Sequence, residues 1–460
     1  IVGDQASRQG LAVEFFGRPA LFATGPFDLA YAKRALILPV FIHRVRGPFH
    51  RVVVEPPMDL SIHRRKADAA QDGIERFAEM LAAHITQEPG QWLWMHKRWK
   101  HTDARRVLVL SDGKLGHLKQ SLAVVEALRQ RHANLTHHVV DVRYRNRLAR
   151  GLALAWSWWM PGRLGAAACL AWTLSRPSRR ELLSRYADLI VSCGAATAPA
   201  NRLWSSEHGA KSIVLMNPAP IPLSRFDLVI APKHDHLPRR ANVVQVIGAI
   251  SCLRDDDLLQ ARSRLSAHPK FHANAGQDRR PTVALFVGGN TEHYELTAAF
   301  ADALALQVIA ACDAANAQCL VTTSRRTCPD AQRILSERLA QHPRCRLLVL
   351  AGRDPLDGTM EGMLGWADVA VVTGESVSMV SEACASGRRV VVVEPPLRYG
   401  ARSTPTKQQR FLRELEREGY LGIHPAPEVS LALRRALAER TPAKRLESFA
   451  AVREAVGRLL

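Results

Sequence analysis

TGESVSMVSEACASG, residues 373 to 387, reads as the end of a strand, a tight polar turn and a helix whose first turn carries Ser376, Ser378 and Glu382. The free N–H groups at such a helix start hold an anionic group. The runs 369–372 before it and 390–393 after it are short, β-branched and bounded by turn residues, as buried parallel strands are. The segment is a βαβ unit with a polar mouth at its carboxyl edge, where open α/β sheets bind ligands. Gly374, Glu375 and Met379 belong to that mouth, while Val380, Ala383 and Cys384 turn toward the core.

The same pattern recurs on both sides. Strands at 282–287, 319–323 and 346–350 join 369–372 and 390–393 in one series, and strands at 107–110, 135–142, 189–192, 212–216, 228–231 and 243–246 form an earlier one, several alternating with helical stretches. The polar stretch 266–280 is the connection, and helices at 408–418 and from 429 onward pack back across the first domain. The expected architecture is α/β: two Rossmann-like domains, 105–265 and 280–460, facing across a cleft in the GT-B arrangement. They follow a separate partial α/β segment, 1–104, with strands at 2–5, 13–16, 37–42 and 51–55 and helices at 27–34 and 67–85.

The polar mouths supply the candidate residues. VGGNTEHY, 287–294, follows a strand, so Gly288, Gly289 and Asn290 either bring backbone N–H groups to a phosphate or form a plain tight turn. TTSRRTC, 322–328, ends the next strand with Ser324, Arg325, Arg326 and Thr327, either a site where guanidinium forks bind phosphate oxygens in pairs or a solvated loop of an Arg-rich chain. Glu382, one turn after Ser378, is placed to accept from a ribose diol, or is a helix-dipole charge. In the first domain SDGKLGHLKQS sets Asp112, Gly113, Gly116, His117 and Gln120 at the mouth of the leading strand, with His117 either a general base for an acceptor hydroxyl or a phosphate donor, or a helix-entry histidine without chemistry. APKHDH ends a further strand with Lys233, His234 and Asp235 on the acceptor side; one such short cluster is thin support for a metal site.

Composition bounds the partners. The 460 residues carry a formal charge of +20, and only 11 of the 63 basic residues are lysine. That balance suits phosphorylated ligands or anionic headgroups, or reflects Arg-rich codon usage. No nucleic-acid motif with interleaved aromatics accompanies it. The eight cysteines never form CxxC and read as reduced core residues. The chain begins at Ile1 inside an expected strand, from which an upstream extension is inferred. Residues 148–174 are Trp-rich but interrupted by Pro161, Gly162 and Arg163, and flanked by Arg147, Arg150, Arg176, Arg179 and Arg180. They read as a hairpin lying in a membrane interface, or as two core helices.

Two resemblances follow from these motifs. GDQ, VEFFGRPALFATGPFDLA, ALILPVFIHR and EPGQWLWMHKRWK, within the first 100 residues or so, resemble the C-terminal half of the late acyltransferases of lipid A biosynthesis. That family's HxxxxD or HxxxxE motif would lie upstream of these pieces, so Asp4, Gln5 and Arg8 are at most remnants of an acyl-donor site. The pairs His50 with Glu55 and His63 with Asp68 fall out of the family's order. VLSDGKLGHLKQS, FDLVIAPKHDH with NVVQVIGA, TTSRRT and VTGESVSMVSEACASG together resemble the ELM family, related to a plant mitochondrial-fission factor and described in bacteria as glycosyltransferases. GKLGH and SVSMVSEACASG are more distantly similar to the acceptor loop and donor-site helix of the peptidoglycan N-acetylglucosaminyltransferases. That likeness implies Glu382 on a nucleotide ribose and His117 near the acceptor, although Asp112 and Lys114 depart from the pattern.

The expected function is a metal-independent sugar transfer with no cofactor beyond its nucleotide-sugar co-substrate. Its acceptor would be lipid-linked or of lipopolysaccharide type, at an anionic membrane surface on the inner face of the plasma membrane, with no nucleic acid involved. The alternatives are a lipid A acyltransferase lacking its HxxxxD/E half and a non-catalytic ELM-type scaffold.

Overall fold

A computed structural model of the chain describes residues 6–94, 98–99, 105–159, 165–271, 280–398 and 405–459. Asp4, Gln5, the strand expected at 2–5 and the Pro161 to Arg163 interruption lie outside the described residues. The chain divides into two compact units, one of residues 1–107, 132–138 and 176–188, the other of the remainder.

The first unit contains two antiparallel hairpins, β1 (Ala6–Phe15) with β2 (Arg18–Phe22) and β3 (Val40–Arg46) with β4 (Phe49–Val54), and two helices, α1 (Gly25–Lys33) and α2 (Lys66–Gln87). Phe15, Phe22, Phe27, Met58, Leu60 and Ile74 are its buried centre. The strand expected at 37–42 starts regular pairing only at Val40, because Pro39 has no N–H to give a ladder, and Ile37 keeps a single bridge to Met58. His50 bonds its own loop at Pro48 O (2.9 Å), whereas Glu55 holds His84 Nε2 at 2.8 Å and His84 Nδ1 meets His43 Nε2 at 2.9 Å. The His50 and Glu55 match is therefore split between different partners, as strand alternation requires.

The two sheets follow in chain order. The first domain runs β5 (Arg105–Ser111), α3 (Leu115–Arg129), β6 (Leu135–Asp141), α4 (Arg147–Trp159), α5 (Ala166–Thr173), α6 (Arg176–Leu183), β7 (Leu189–Cys193), α7 (Ala198–His208), β8 (Lys211–Leu215), β9 (Leu228–Pro232) and β10 (Val243–Val246), followed by α8 (Asp255–Ser266), which packs into the core of the second domain. Its six strands lie in the order β10-β9-β8-β7-β5-β6.

The second domain runs β11 (Thr282–Val287), α9 (Ala298–Ala314), β12 (Gln318–Thr323), α10 (Pro329–Leu339), β13 (Cys345–Val349), α11 (Thr359–Trp366), β14 (Val369–Thr373), α12 (Val377–Ala385), β15 (Arg389–Val393), α13 (Lys407–Arg417), β16 (Gly422–His424), α14 (Val429–Ala438) and α15 (Ser448–Gly457). Its sheet is wholly parallel in the order β13-β12-β11-β14-β15-β16. Alternate residues of each strand feed separate cores on its two faces: Phe286, Val372 and Val392 on one, Val287, Val371 and Val393 on the other. These are two Rossmann-like domains in the GT-B arrangement, and α15 packs back on α3 and β10.

The strand order reverses between β5 and β7 in the first sheet and between β11 and β14 in the second. Crevices at such switch points are where open α/β sheets bind ligands.

Candidate functional site

At the second sheet's switch point the loop after β11 lies against the turn after β14. Gly288 N–H donates to Thr373 Oγ1 (2.7 Å) and Gly289 N–H to Glu375 Oε1 (2.8 Å). A Cβ on Gly288 would overlap the Glu375 carboxyl, and one on Gly289 the Arg326 carbonyl, so both positions need glycine for close approach. This revises the expectation for the pair: their N–H groups serve the junction of two loops, and the donors left for an anion are those of the first turn of α12. Ser376 stands at its N-cap without a side-chain cap bond. Gly374, packed under Leu412 and Val392, has its N–H on Val393 O (2.9 Å), and Met379 packs against the core.

The 324–327 turn is braced from within. Ser324 Oγ accepts from Arg326 N–H (3.1 Å), while Thr327 is buried and its hydroxyl reaches Gly288 O. Asn290 likewise turns inward, its Oδ1 taking Leu296 N–H at 2.8 Å. Only Arg325 and Arg326 of this turn are exposed. Arg326 is close enough to Glu375 to favour its ionised form, yet burial pushes the Glu375 carboxyl above the usual range, and its Oε2 is buried without a hydrogen-bond partner.

On α12, Ser378 Oγ donates to Glu382 Oε1 (3.0 Å), so the two share one face of the helix as their spacing predicts. The second oxygen of Glu382 is taken by Lys119 Nζ (3.3 Å), which reaches from α3 and also binds Glu361 Oε1 (3.0 Å) on α11. Burial works against the Lys119 ammonium, but the two carboxylates hold it above its ordinary value. Burial also raises Glu382 despite Lys119, whereas at Glu361 burial is opposed by Lys119, a backbone hydrogen bond and Arg264, which together lower the carboxyl. Glu361 is therefore the firmly ionised partner. Sequence reasoning missed Lys119 and Glu361, which are 242 positions apart, so no local spacing marks them.

In the first domain Asp112 caps the β5 exit. Its Oδ2 accepts from His117 Nδ1 (3.0 Å) and its Oδ1 from Lys114 N–H (3.2 Å). Gly113 turns the chain at φ 82°. Gly194, at the end of β7, leaves room for the imidazole, since a Cβ there would come within 3.2 Å of His117 Cε1. An Nδ1–H held by a carboxylate leaves Nε2 as the acceptor, the form a base requires. A Cβ on Gly116, in the first turn of α3, would lie 3.8 Å from Ser378 Oγ, so the dyad and α12 belong to one cleft. Gln120 is spent on the backbone, spanning Gly116 O and Ile250 N–H at 3.4 Å each.

Lys233 and His234 line a second hollow of about 880 Å³ opposite Arg410, Arg413 and Arg417 of α13. Asp235 turns away to Lys407 (2.8 Å). Burial lowers the His234 imidazole; Asp235 opposes this, and Lys407, Arg410 and His236 add to it.

The Glu375 environment makes a pH prediction. A carboxyl raised by folding contributes stability that is fully present below its unfolded value, about 4.3, and is lost as pH rises through the higher folded value. Glu375→Gln keeps an acceptor for Gly289 and removes the ionisation. The melting temperature of the variant minus that of the wild type is expected to grow from pH 4.5 to pH 8, roughly bracketing that titration. A difference independent of pH would refute the assignment.

Comparison with known proteins gives two family matches. The family described as Mitochondrial fission ELM1 matches residues 115–458, and that described as Bacterial lipid A biosynthesis acyltransferase matches residues 1–101. The Mitochondrial fission protein ELM1 of Arabidopsis thaliana is 27% identical over 257 residues, covering 50% of this chain and 56% of that protein. The chain thus spans about half the length of the curated relative it matches.

Among solved structures, UDP-GlcNAc 2-epimerase of Methanocaldococcus jannaschii is similar at 12% identity and TM-score 0.47, covering 77% of this chain and 98% of the other. A Medicago truncatula structure complexed with UDP-glucose is similar at 10% identity and TM-score 0.40, covering 76% and 93%.

Proposed function

We propose, from the premise that this chain belongs to the family described as Mitochondrial fission ELM1, that its cleft transfers a sugar from a nucleotide-sugar donor to a hydroxyl of a lipid-linked, lipopolysaccharide-type acceptor. The observation that carries this reading is the Asp112 and His117 pair, 3.0 Å apart at one switch point, with Gly116 beside Ser378 of the other. The first turn of α12, together with the exposed Arg325 and Arg326 of the turn that abuts Gly289, suits a diphosphate. Glu382, on exchanging Lys119 for a ribose diol, would read the nucleoside.

In this reaction His117 Nε2 takes the proton of the acceptor hydroxyl as its oxygen attacks the anomeric carbon. The bond from that carbon to the diphosphate breaks, and the leaving charge falls on the N–H groups and guanidiniums already in place. The acceptor is assigned by association: residues 1–101 match a family of lipid A biosynthesis. The proposed place of work is the inner face of the plasma membrane.

Calorimetry with UDP, GDP and CMP sugars tests the reading. Micromolar binding of one donor is expected, weakened at least about tenfold in Arg325→Ala and Glu382→Ala, since each removes a charge-assisted contact of about 1.5–3 kcal/mol. Binding of none of the three would favour a non-catalytic scaffold.

A further inference from the structure

The α4/α5 hairpin is built inside out. Its base is closed by Arg145 N–H on Thr173 O (3.0 Å) and Ser175 N–H on Arg143 O (2.8 Å). Both helices pack on α7. The row that α4 turns inward is small, Ala149, Ala153 and Ser157, at helical spacing. The row it turns outward is large: Leu148 is 81% exposed, Leu152 54% and Trp159 77%, with Trp158 also exposed. Trp172 of α5 is 73% exposed. A surface helix ordinarily does the reverse and buries its large apolar residues. Several large apolar side chains exposed on one helical hairpin mark an interaction site.

The charge pattern selects the occupant. No acidic residue occurs between Asp141 and Glu181. Arg143, Arg145, Arg147 and Arg150 are exposed around the start of α4. Indoles and leucines ringed by arginines, with no carboxylate among them, match an interface where acyl chains lie under anionic phosphates.

The fold also decides what lies near that face. Val142 N–H, just after β6, donates to Ser111 O at 2.8 Å, so β6 ends beside the strand end that carries Asp112. The chain enters α4 from the same rim of the sheet as the Asp112 and His117 dyad.

We infer that the outward face of α4 and α5 is a docking surface for an anionic phospholipid bilayer, seating the acceptor side of the cleft toward the lipid. The inference rests on the transferase reading only for what is presented at that rim; the docking itself does not depend on it.

The test is co-sedimentation of the full chain with vesicles of phosphatidylcholine alone and of phosphatidylcholine mixed with phosphatidylglycerol. Partition onto the mixed vesicles is expected, with a blue shift of tryptophan emission. Trp159→Ser combined with Trp172→Ser should weaken partition by on the order of tenfold, for the lost interfacial apolar area. Arg147→Glu combined with Arg150→Glu should abolish the preference for phosphatidylglycerol and flatten the salt dependence. All four side chains are exposed, and unchanged melting temperatures confirm the variants are folded. No partition of the wild type, or equal partition of the tryptophan variant, overturns the proposal. So does a concentration-dependent dimer in light scattering that the same variant dissolves, which would make the face a self-interface. Donor calorimetry on the same samples separates the two readings: vesicle binding without nucleotide binding sinks the transferase and leaves the docking surface standing.

Discussion

His117→Ala is expected to lower sugar-transfer turnover by about 10³-fold while leaving donor binding within about twofold, the loss typical of removing a positioned general base. The split between the two readouts follows from position. His117 sits over Gly194 at the first sheet's switch point, whereas the proposed donor contacts belong to α12 and the 324–327 turn. Asp112→Asn tests the same idea with nearly constant shape. Its amide would donate to Nδ1, forcing the proton onto Nε2 and removing the lone pair the acceptor hydroxyl needs. A loss approaching that of the alanine variant is expected, and Asp112→Ala should lose no more than Asn does. Turnover within about threefold of wild type in either His117→Ala or Asp112→Asn would remove the dyad from the chemistry, since general base catalysis supplies no less than about 10².

The second sheet was legible because its strands are buried on both faces and therefore written as unbroken β-branched runs, Val369–Thr373 and Arg389–Val393 among them. The dyad was legible because Asp112 and His117 are five residues apart across one tight turn. Two things were not. The glycine pair reads from sequence as a phosphate cradle or a plain tight turn, and only the fold reveals that Thr373 and Glu375, some 85 residues onward, already take both N–H groups. Thr327 and Asn290 look like ligand contacts for the same reason, yet they brace loops from inside. Such roles depend on which of two polar partners is nearer in space, and spacing along the chain carries no information about that. The α4/α5 hairpin is an intermediate case: its tryptophans and arginines are plain in the sequence, but which of them face outward is decided by the packing on α7.

Lys119→Met carries the largest expected effect on stability, because it removes a cation that two carboxylates share. Glu382 is mostly buried and Glu361 partly so, their side chains 15% and 30% exposed, and Lys119 reaches both from the other domain. Deleting one partner of a buried pair costs about 3–5 kcal/mol. Lys119 is 40% exposed, so solvent screening reduces the expected loss to about 2 kcal/mol, or about 4 °C in melting temperature for a unit of this size. The methionine keeps most of the aliphatic volume, which isolates the charge from the packing. Glu382→Gln should cost less than Lys119→Met, since Ser378 can still donate to the remaining carbonyl oxygen and Glu361 keeps its lysine. In the Glu382→Gln background the further loss from Lys119→Met should shrink by about 1 kcal/mol, the coupling expected of neighbours in one network. An unchanged melting temperature in Lys119→Met, or additive losses in the double variant, would mean that the lysine is a solvated charge and that nothing but apolar contact joins α3 to α12. The lysine is also the group a ribose diol must displace from Glu382 Oε2. Lys119→Met should therefore bind donor at least as tightly as wild type even while it melts earlier, a reversal of sign between stability and affinity that a merely misfolded variant would not produce.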